Sequence, residues 1–478
     1  MKANFKPMVA AVVGTLLFGA TQVAMADSTD DLLKKLHDKG VLNDEEYDSF
    51  NASRDTEKVK KTSEIKASFK DGIQWQSGDG ATKFSVNGRI QADYRSFDVP
   101  EPASTATANA AAANNGAGGV PDNFDIRRAY LTAKGTFYNY MNFEATLDGK
   151  NGSPALKYYW LEMAPMEEFK VRFGQFKMPS GLETWVSSRF NDMTERDWVS
   201  NLTPSIQKGI MVHGIPTKGL YYFASVSNGS VGYEGGQTTL ETNSNADGKE
   251  WGERLVVNLA QVFNMPDTIL HFGETYSKDT DLPDTAAGDI TMQTNARGTT
   301  FFKSNLAFVN PDIRRYGLET ILARGPVKLQ AEYGSYELQP TGSATTKHEI
   351  NASYVNLSWL VTGESYSDAY KDSLMDRIRP KNDFVAIGAP GFGAIELGAR
   401  YSRFDASDFT QAQLTAGQTA DKAHSYTLGV KWIPNPNTRF LMDYVHTHFD
   451  QSVTGGITNV TSTFNDENAI NFRAQLDF

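Results

Sequence analysis

The sequence predicts an all-β protein, an antiparallel transmembrane β-barrel of about 16 strands that follows a short N-terminal helical segment. Three observations predict this fold. The N-terminus has the pattern of a secretory signal peptide, apolar and polar residues alternate through most of the chain, and the last alternating stretch ends on an aromatic residue. They divide the chain into a signal peptide at 1–26, a helical or coiled-coil periplasmic segment at 27–66 and a barrel domain at 67–478.

The first residues predict export. Lys2 and Lys6 give a basic start, residues 8–20 are mostly apolar, and Ala-Met-Ala at 24–26 fits the small-x-small pattern of signal-peptide cleavage. The apolar run is too short to anchor the chain in a bilayer as a helix. No cysteine follows it, so we do not expect a lipoprotein. We expect the mature chain to begin near Asp27, outside the cytoplasm.

The next segment is polar and has the pattern of two short helices. Gly40 can end the first helix at its C-terminus. Asn43 and Glu46 have the spacing of a capping box, which predicts the start of a second helix with Tyr47 and Phe50 on its apolar side. This helical hairpin would serve either as a periplasmic tether or as a trimerising coiled coil.

From about residue 69 onward the pattern has period two. One alternating strand is also compatible with a soluble sandwich. Many such strands after a signal peptide, joined by polar loops, favour a barrel with a wet lumen, and the mean hydropathy of −0.43 is compatible with strands that are polar on alternate residues. The connections are short at 433–437 and long at 99–123, 227–249 and 277–310. The clearest alternating stretches are 84–94, 141–148, 327–333, 395–401, 425–432 and 468–478.

Composition supports this fold and excludes several functions. The chain has 28 Phe, 20 Tyr and no Cys, which suits strands and removes thiolate metal sites and thiol nucleophiles. A net charge of −11 without a basic cluster argues against nucleic-acid binding. The terminal Phe478 on an alternating strand is similar to the signal that barrel-assembly machinery reads.

The phase of the alternation predicts which cations face the lumen. Arg89 shares the polar side of its strand, so it should point inward. In the next strand the apolar phase changes between Ile126 and Ala129. One extra residue at Arg127-Arg128, a β-bulge, would restore the phase and let both arginines face the lumen.

Most other charges on the polar faces are best interpreted as cross-strand pairs that brace the inner wall. Basic and acidic residues occur there together. They are Lys170, Arg172, Arg254, Lys328, Arg400, Lys431, Arg439 and Arg473, with Glu144, Asp148, Glu162, Glu332, Glu396, Asp443 and Asp477.

Several stretches resemble the phosphate-selective porin (porin O/P) family. They are 86–94, 124–130 with its Arg-Arg pair, 171–177 with its Gly-Gln-Phe block, the following 181–183 and 187–189, and 360–364. The similarity extends from about residue 69 to the C-terminus. It implies a 16-stranded trimeric barrel with an arginine ladder in the lumen and a third loop that folds inward as the constriction.

The loop at 177–201 is the expected constriction, with an ordinary solvated loop as the alternative. Its hydroxyls lie beside cationic groups and could donate hydrogen bonds to an oxyanion. Phase, resemblance and loop position together predict the anion pathway. Its residues are Arg89, Arg127, Arg128, Ser187, Ser188 and Arg189.

The function expected from this resemblance is an outer-membrane porin for passive diffusion of anions, with phosphate and polyphosphate as candidate solutes. We also expect a homotrimer, contact with outer-membrane lipid and lipopolysaccharide, insertion by barrel-assembly machinery, and no cofactor. One position departs from the family pattern: Thr184 stands where phosphate-selective members place a lysine. The alternative is a general porin, or one for other solutes such as organic acids or sugars, without phosphate selectivity.

Functions of other classes find little support. A barrel enzyme would need a catalytic constellation, and the chain has no Gly-x-Ser-x-Gly elbow, no His-Glu-x-x-His helix and no phosphate-binding glycine loop. His446 and His448 share one strand face without a third ligand in view, so we predict no metal site there. An adhesin and a soluble secreted β-protein remain as further alternatives. We expect a channel and not an enzyme.

Overall fold

The computed structural model describes residues 34–69, 72–98, 122–150, 152, 154–229, 248–280, 290–305, 312–339, 346–386, 388, 390–455 and 462–478. The chain divides into two compact units, one of Met1–Lys66 with Ser77–Asp79 and one of Ala67–Gln76 with Gly80–Phe478. The predicted signal peptide at 1–26 lies outside the described residues. None of the helices in the described ranges is both long and apolar enough to span a membrane.

The N-terminal unit contains the two predicted helical elements. A first set of helical turns at 34–38 ends at Gly40, whose φ of +67° is left-handed, and Val41 N donates to Leu36 O at 2.9 Å as in a Schellman motif. The second helix follows the predicted capping box. Asn43 N donates to Glu46 Oε2 at 3.0 Å, and Glu46 N donates to Asn43 Oδ1 at 2.8 Å. The periplasmic role of 27–66 stays a prediction.

The regular elements are mostly strands. The helices are α1 (Asp44–Ser63), α2 (Leu182–Trp185), α3 (Val199–Leu202) and α4 (Leu259–Val262), with 3₁₀ turns at Tyr366–Ala369 and Gln411–Gln413. The strands are β1 (Ile65–Phe69), β2 (Ile73–Ser77), β3 (Lys83–Asp98), β4 (Asn123–Phe137), β5 (Met141–Asp148), β6 (Ala155–Met166), β7 (Phe169–Lys177), β8 (Ile206–Thr217), β9 (Leu220–Ser227), β10 (Glu250–Asn258), β11 (Thr268–Asp279), β12 (Thr291–Gln293), β13 (Thr300–Ser304), β14 (Asp312–Arg324), β15 (Val327–Gln339), β16 (His348–Leu360), β17 (Tyr370–Lys371), β18 (Leu374–Met375), β19 (Ala394–Asp405), β20 (Leu414–Thr419), β21 (Lys422–Asn435), β22 (Thr438–Gly455) and β23 (Ser462–Asp477).

A closed antiparallel barrel of 16 strands confirms the predicted fold class. Its strands are β3 to β11, β14 to β16, β19 and β21 to β23, each paired with the next. The barrel closes where β23 pairs with β3, from Asn468 opposite Asp98 to Asp477 opposite Arg89. The short β2 pairs with the first residues of β3, from Ile73 opposite Val86 to Gln76 opposite Lys83.

Strand β3 illustrates how alternation places the side chains. Phe84 and Ile90 are exposed on the outer face, whereas Asn87, Arg89 and Gln91 are buried on the inner face. Large apolar side chains are exposed on the outside of many other strands as well, as lipid contact requires. Polar and charged groups therefore collect in the lumen.

The predicted β-bulge at Arg127-Arg128 is confirmed. In the pairing of β3 with β4, Gln91 lies opposite Arg128 and Ala92 lies opposite Ile126, so Arg127 is the extra residue. Both arginine side chains are buried inside the barrel.

A second bulge escaped the sequence analysis. In the pairing of β5 with β6, Thr146 lies opposite Tyr158 and Leu147 lies opposite Leu156. Lys157 is therefore the extra residue of this bulge, and its side chain lies on the inner side of the barrel, within hydrogen-bonding distance of the phenol of Tyr130.

One connection is much longer than the others at the same end of the barrel. The turns at that end are mostly short, but residues 361–393, between β16 and β19, carry a 3₁₀ turn and the β17–β18 hairpin. Tyr366 and Tyr370 of this connection are buried in one cluster with Leu182, Ile269 and Ile321. The connection folds back into the barrel because its aromatic side chains find apolar partners there.

Deleting Arg127 should leave the barrel able to fold, because Ile126, Arg128 and Ala129 would then alternate regularly. Folding can be measured as heat-modifiable migration of outer-membrane protein on gels. Deleting Thr132 from the regular part of β4 is the matched control, because it moves every later residue of the strand to the opposite face. Equal folding yields for both deletions would contradict the bulge.

Candidate functional site

The loop between β7 and β8, residues 178–205, lies inside the barrel and not on its surface. It contains α2 and α3, and Leu182, Val186, Trp198, Val199 and Leu202 are buried. Trp198 packs edge-on against Phe301 and Phe404, and its Nε1 donates to Gln293 O at 2.8 Å. The loop is therefore a constriction, as the sequence predicts, and not an ordinary solvated loop.

Glu195 fixes one side of this constriction loop to the barrel wall. Its Oε1 accepts from Arg127 Nε at 2.8 Å, from Arg473 Nη2 at 2.9 Å and from Arg95 Nη2 at 3.2 Å. Arg473 also pairs with Asp93 at 2.7 Å. Removing Glu195 would leave the buried Arg127 without a carboxylate partner in the described ranges, and breaking a buried ion pair in this way costs about 3–5 kcal/mol.

The other side of the loop is fixed through carboxylates in the same way. Arg400 Nη2 donates to Glu183 Oε1 at 2.5 Å, and Lys328 Nζ donates to Asp192 Oδ1 at 2.5 Å. Glu332 of β15 accepts the backbone N–H of Glu183 at 3.0 Å. The acidic residues of the loop are thus used for attachment.

A methionine and two glycines form a steric contact between loop and wall. Gly398 of β19 lies opposite Gly429 of β21 in the register. A Cβ atom added at Gly398 would lie 2.9 Å from Met193 Cε, and one added at Gly429 would lie 2.9 Å from Met193 Sδ. Because glycine has no side chain, these two positions leave space on the wall that the Met193 side chain fills.

Asp197 is the acid of the loop whose environment disfavours its charge. Burial raises the pKa of Asp197 to about 6, Arg400 opposes the shift, and Glu183 adds to it. Asp197 Oδ2 accepts from Asn295 Nδ2 at 3.2 Å.

A group of cations beside the loop has neutral partners instead of carboxylates. We call it the basic sector, and none of its members has a carboxylate within ion-pairing distance in the ranges that the structure describes. The hydrogen bonds run from Arg89 to Ser188 Oγ (2.9 Å), from Arg128 to Gln91 Oε1 (2.9 Å), from Arg189 to Asn87 Oδ1 (3.1 Å), from Lys157 to Tyr130 Oη (2.5 Å) and from Lys177 to Val186 O (3.3 Å).

The members of the basic sector also interact with one another. Arg89 lies within electrostatic range of Arg128 and Arg189, and Lys177 lies within range of Lys157 and Arg89. Like charges in a low-dielectric wall repel one another, and the negative charge of a bound anion offsets that repulsion. The N–H donors of the basic sector can also replace part of the water shell that the anion loses. The basic sector is therefore suited to holding a passing anion.

Comparison with known proteins agrees with this architecture. Residues 84–478 match the family model described as phosphate-selective porin O and P. The chain belongs to this family. It is an outer-membrane porin.

This porin is similar to two known porins. It is 24% identical over 446 residues to Porin O of Pseudomonas aeruginosa, covering 86% of this chain and 91% of that protein. The anion-selective porin from Comamonas acidovorans has a similar fold, with a TM-score of 0.50 at 12% identity, over 83% of this chain and 100% of that one.

The predicted pathway residues of this porin have different environments. Arg89, Arg128 and Arg189 belong to the basic sector, whereas Arg127 is held by Glu195. Ser188 accepts from Arg89 through its hydroxyl and from Gln91 Nε2 through its carbonyl at 3.0 Å. Ser187 Oγ lies 3.5 Å from Arg189 N. Their part in anion passage stays a prediction.

Two residues add to what the sequence predicts for the constriction: Thr184, at the position where the family has a lysine, and Lys157, which faces the lumen. The Thr184 side chain is buried and its hydroxyl lies 2.7 Å from Thr203 Oγ1, so this position holds a neutral group whose hydrogen bond stays within the loop. Sequence reasoning missed Lys157, although a signal was available. The apolar phase changes between Leu156 and Leu161, as it does around Arg127.

Replacing Gly398 by alanine should displace the flexible end of the Met193 side chain, because the new methyl group would lie 2.9 Å from Met193 Cε. We expect a changed single-channel conductance and a return toward the wild-type value in the double variant G398A/M193A. G149A is the control, because its Cβ would meet nothing closer than 3.7 Å. An unchanged conductance in G398A would contradict an influence of Met193 on the ion path.

Docking of the loop should weaken as the pH rises through about 6. The pKa of Asp197 is raised in the folded chain, so the stability linked to its protonation is present at acid pH and lost as Asp197 ionises. We expect larger current fluctuations at pH 7.5 than at pH 5, and a smaller difference in D197N. The exposed Asp408, in the turn after β19, supplies the control, D408N. Equal pH dependence in D197N and wild type would refute this.

Proposed function

We propose that this porin conducts anions by passive diffusion and that the basic sector selects them. The observation that carries this proposal is an imbalance of pairing in the constriction. The acids Glu183, Asp192 and Glu195 are each tied to a cation, whereas Arg89 and Arg128 end on neutral oxygens. At the constriction, cationic side chains without a carboxylate partner are available to a solute, whereas the acids named above are paired. This holds although the chain as a whole has a net charge of −11.

The charge pairs elsewhere in the lumen support the same proposal. Lys431 pairs with Glu396 at 2.8 Å, and Arg254 pairs with Glu319 at 2.6 Å. At a distance the electric fields of the two opposite charges in such a pair largely cancel. The pairs also brace the inner wall, as the sequence predicts for most lumenal charges. The local field at the constriction then depends on the basic sector.

Phosphate selectivity is a finer proposal. Membership of the phosphate-selective porin family supports it, and the fold shared with the anion-selective porin from Comamonas acidovorans supports anion passage more generally. The neutral Thr184 favours the alternative, a general anion pore or a pore for other solutes such as organic acids or sugars, because no lysine stands at that position.

The remaining expectations stay proposals about the assembly and the mode of action. We propose a homotrimer that is surrounded by outer-membrane lipid and lipopolysaccharide and inserted by barrel-assembly machinery. The exposed apolar outer face supports lipid contact. We also propose that the chain is a channel without enzymatic activity or cofactor, which its membership of a porin family supports.

The reversal potential of purified protein in a planar bilayer with a KCl gradient tests anion conduction. We expect chloride to permeate better than potassium. The double variant R89Q/R128Q should lower the permeability ratio by about fivefold, equivalent to roughly 1 kcal/mol. R403Q removes one exposed charge that pairs with Asp405, and it should leave the ratio unchanged.

Titration of phosphate into the same bilayer separates the finer proposals. Block of the chloride current by phosphate would support phosphate binding, and chloride selectivity without block would indicate a general anion pore. A potassium-selective wild-type channel would overturn the proposed function and leave the barrel fold intact.

A further inference from the structure

One part of the lumen wall is apolar, although the inside of a porin is normally polar. A cluster of buried apolar side chains lies on the inner face of β7 to β10, and Met178 of the constriction loop belongs to it. Three further side chains, Trp160, Trp185 and Ile215, pack against this cluster and stay partly exposed. We call these three residues the apolar patch. Packing of the loop accounts for the buried members of the cluster, but it leaves the apolar patch in contact with the water of the lumen.

The two indole rings of the apolar patch are held in place by their neighbours. The guanidinium carbon of Arg172 lies 3.9 Å from the ring centroid of Trp160. Trp185 of α2 packs edge-on against Phe223, with 5.4 Å between the ring centroids. Rings that are already fixed lose little conformational entropy when a solute binds. The apolar patch is therefore preorganised for contact with a second ring.

The wall beside Trp160 carries no side chains over two strands. Gly174 of β7 lies opposite Trp160 of β6, and Gly209 of β8 lies opposite Gly174. Two strands span about 10 Å of the wall. This strip gives a small ring room to lie flat beside the indole of Trp160.

The charges around the apolar patch are compatible with an anionic solute. Glu162 is the acid beside Trp160, and it is neutralised by Arg172 at 2.6 Å and by a hydrogen bond with His213 at 2.9 Å. The ammonium group of Lys177 has three N–H donors, one of which is donated to Val186 O at 3.3 Å. Val186 directly follows Trp185, so a cation of the basic sector lies next to the apolar patch.

We propose that the apolar patch is a binding site for small carboxylates that carry an apolar ring. This inference rests on the proposed function and names one class of solute for it. The ring would contact Trp160 and Trp185, and the carboxylate would be directed toward Lys177. Contact with the indoles removes apolar surface of the solute from water, and a compact inorganic anion gains nothing from this. The sequence agrees, because the indole of Trp185 directly follows the neutral Thr184, where the family has a lysine.

The test compares block of the chloride current in a planar bilayer by benzoate and by acetate. Both solutes are ionised at pH 7, so they have the same charged group and differ by the ring. We expect benzoate to halve the current at about a tenfold lower concentration than acetate, equivalent to roughly 1.4 kcal/mol. The ratio of the two concentrations is the readout, because a change of the pore that alters block by both solutes cancels in it.

Two tryptophan variants locate the contact. W160A and W185A should each lower the ratio to about threefold, and W185F should keep more of it because phenylalanine retains an aromatic ring. W251A is the matched control, because Trp251 is exposed on the outer face of β10, and its ratio should equal that of wild type. All variants are first checked for heat-modifiable folding. If W185A does not fold, W160A and W185F carry the test.

Two further measurements test the charged end of the solute. K177Q should raise the half-blocking concentrations of both carboxylates, and unchanged block by both would overturn the role of Lys177. Glucose, a neutral ring, should block less than benzoate. Equal or stronger block by glucose would overturn the assignment to carboxylates.

The remaining outcomes distinguish this inference from the proposed function. If the wild-type channel selects chloride but benzoate blocks no better than acetate, the ring-binding site is overturned and anion conduction stands. The same holds if W160A and W185A both keep the wild-type ratio, because the ring then binds elsewhere. If the wild-type channel selects potassium, the proposed function and this inference both fall.

Discussion

The hydrogen-bonding requirement of the backbone inside a bilayer is the constraint on which this structure depends. A strand with free N–H and C=O groups is too costly in hydrocarbon, so the sheet must close, and it does so where β23 pairs with β3. Closure gives every strand one lipid face and one lumenal face. Within the membrane, the charged side chains of the strands must therefore face the lumen. The lumen therefore holds a dense set of ionic groups, such as Arg473 with Asp93 and Lys431 with Glu396, each of which needs a partner.

The inward loop supplies partners for some of these lumenal charges and forms the constriction. Its acids reach opposite walls, with Glu195 bound to Arg127 and Arg473 and Glu183 bound to Arg400. The loop thereby neutralises cations of the wall while it narrows the lumen. No acid of the loop pairs with the basic sector in the described ranges, so its charge is left for solutes. Attachment of the loop and the proposed selection of anions thus depend on the same carboxylates, which pair with cations of the wall and not with the basic sector.

Local features could be predicted from the sequence, and contacts between distant segments could not. The bulge at Arg127 follows from a change of apolar phase, and the cap at Asn43 follows from a spacing of three residues, so both are visible in a short window. The partner of Arg127 is Glu195, which depends on how the loop crosses the lumen. The burial of Tyr366 inside the barrel likewise depends on packing between segments far apart in the chain. Alternation predicts which face of the sheet a side chain lies on, but not which residue of a distant segment it contacts there.

The two bulges show how a strand can raise its charge density toward the lumen. In a regular strand, neighbouring lumenal residues are two positions, or about 6.6 Å, apart. A bulge turns adjacent residues, about 3.8 Å apart between Cα atoms, to the same side. At Arg127 and Arg128 this separates two roles, because the first arginine holds Glu195 and the second faces Gln91. At Lys157 the bulge places a cation beside Tyr130 where regular alternation would not. Register irregularities are therefore part of how this porin concentrates positive charge at its constriction, since the alternation required by the lipid face would otherwise dilute it.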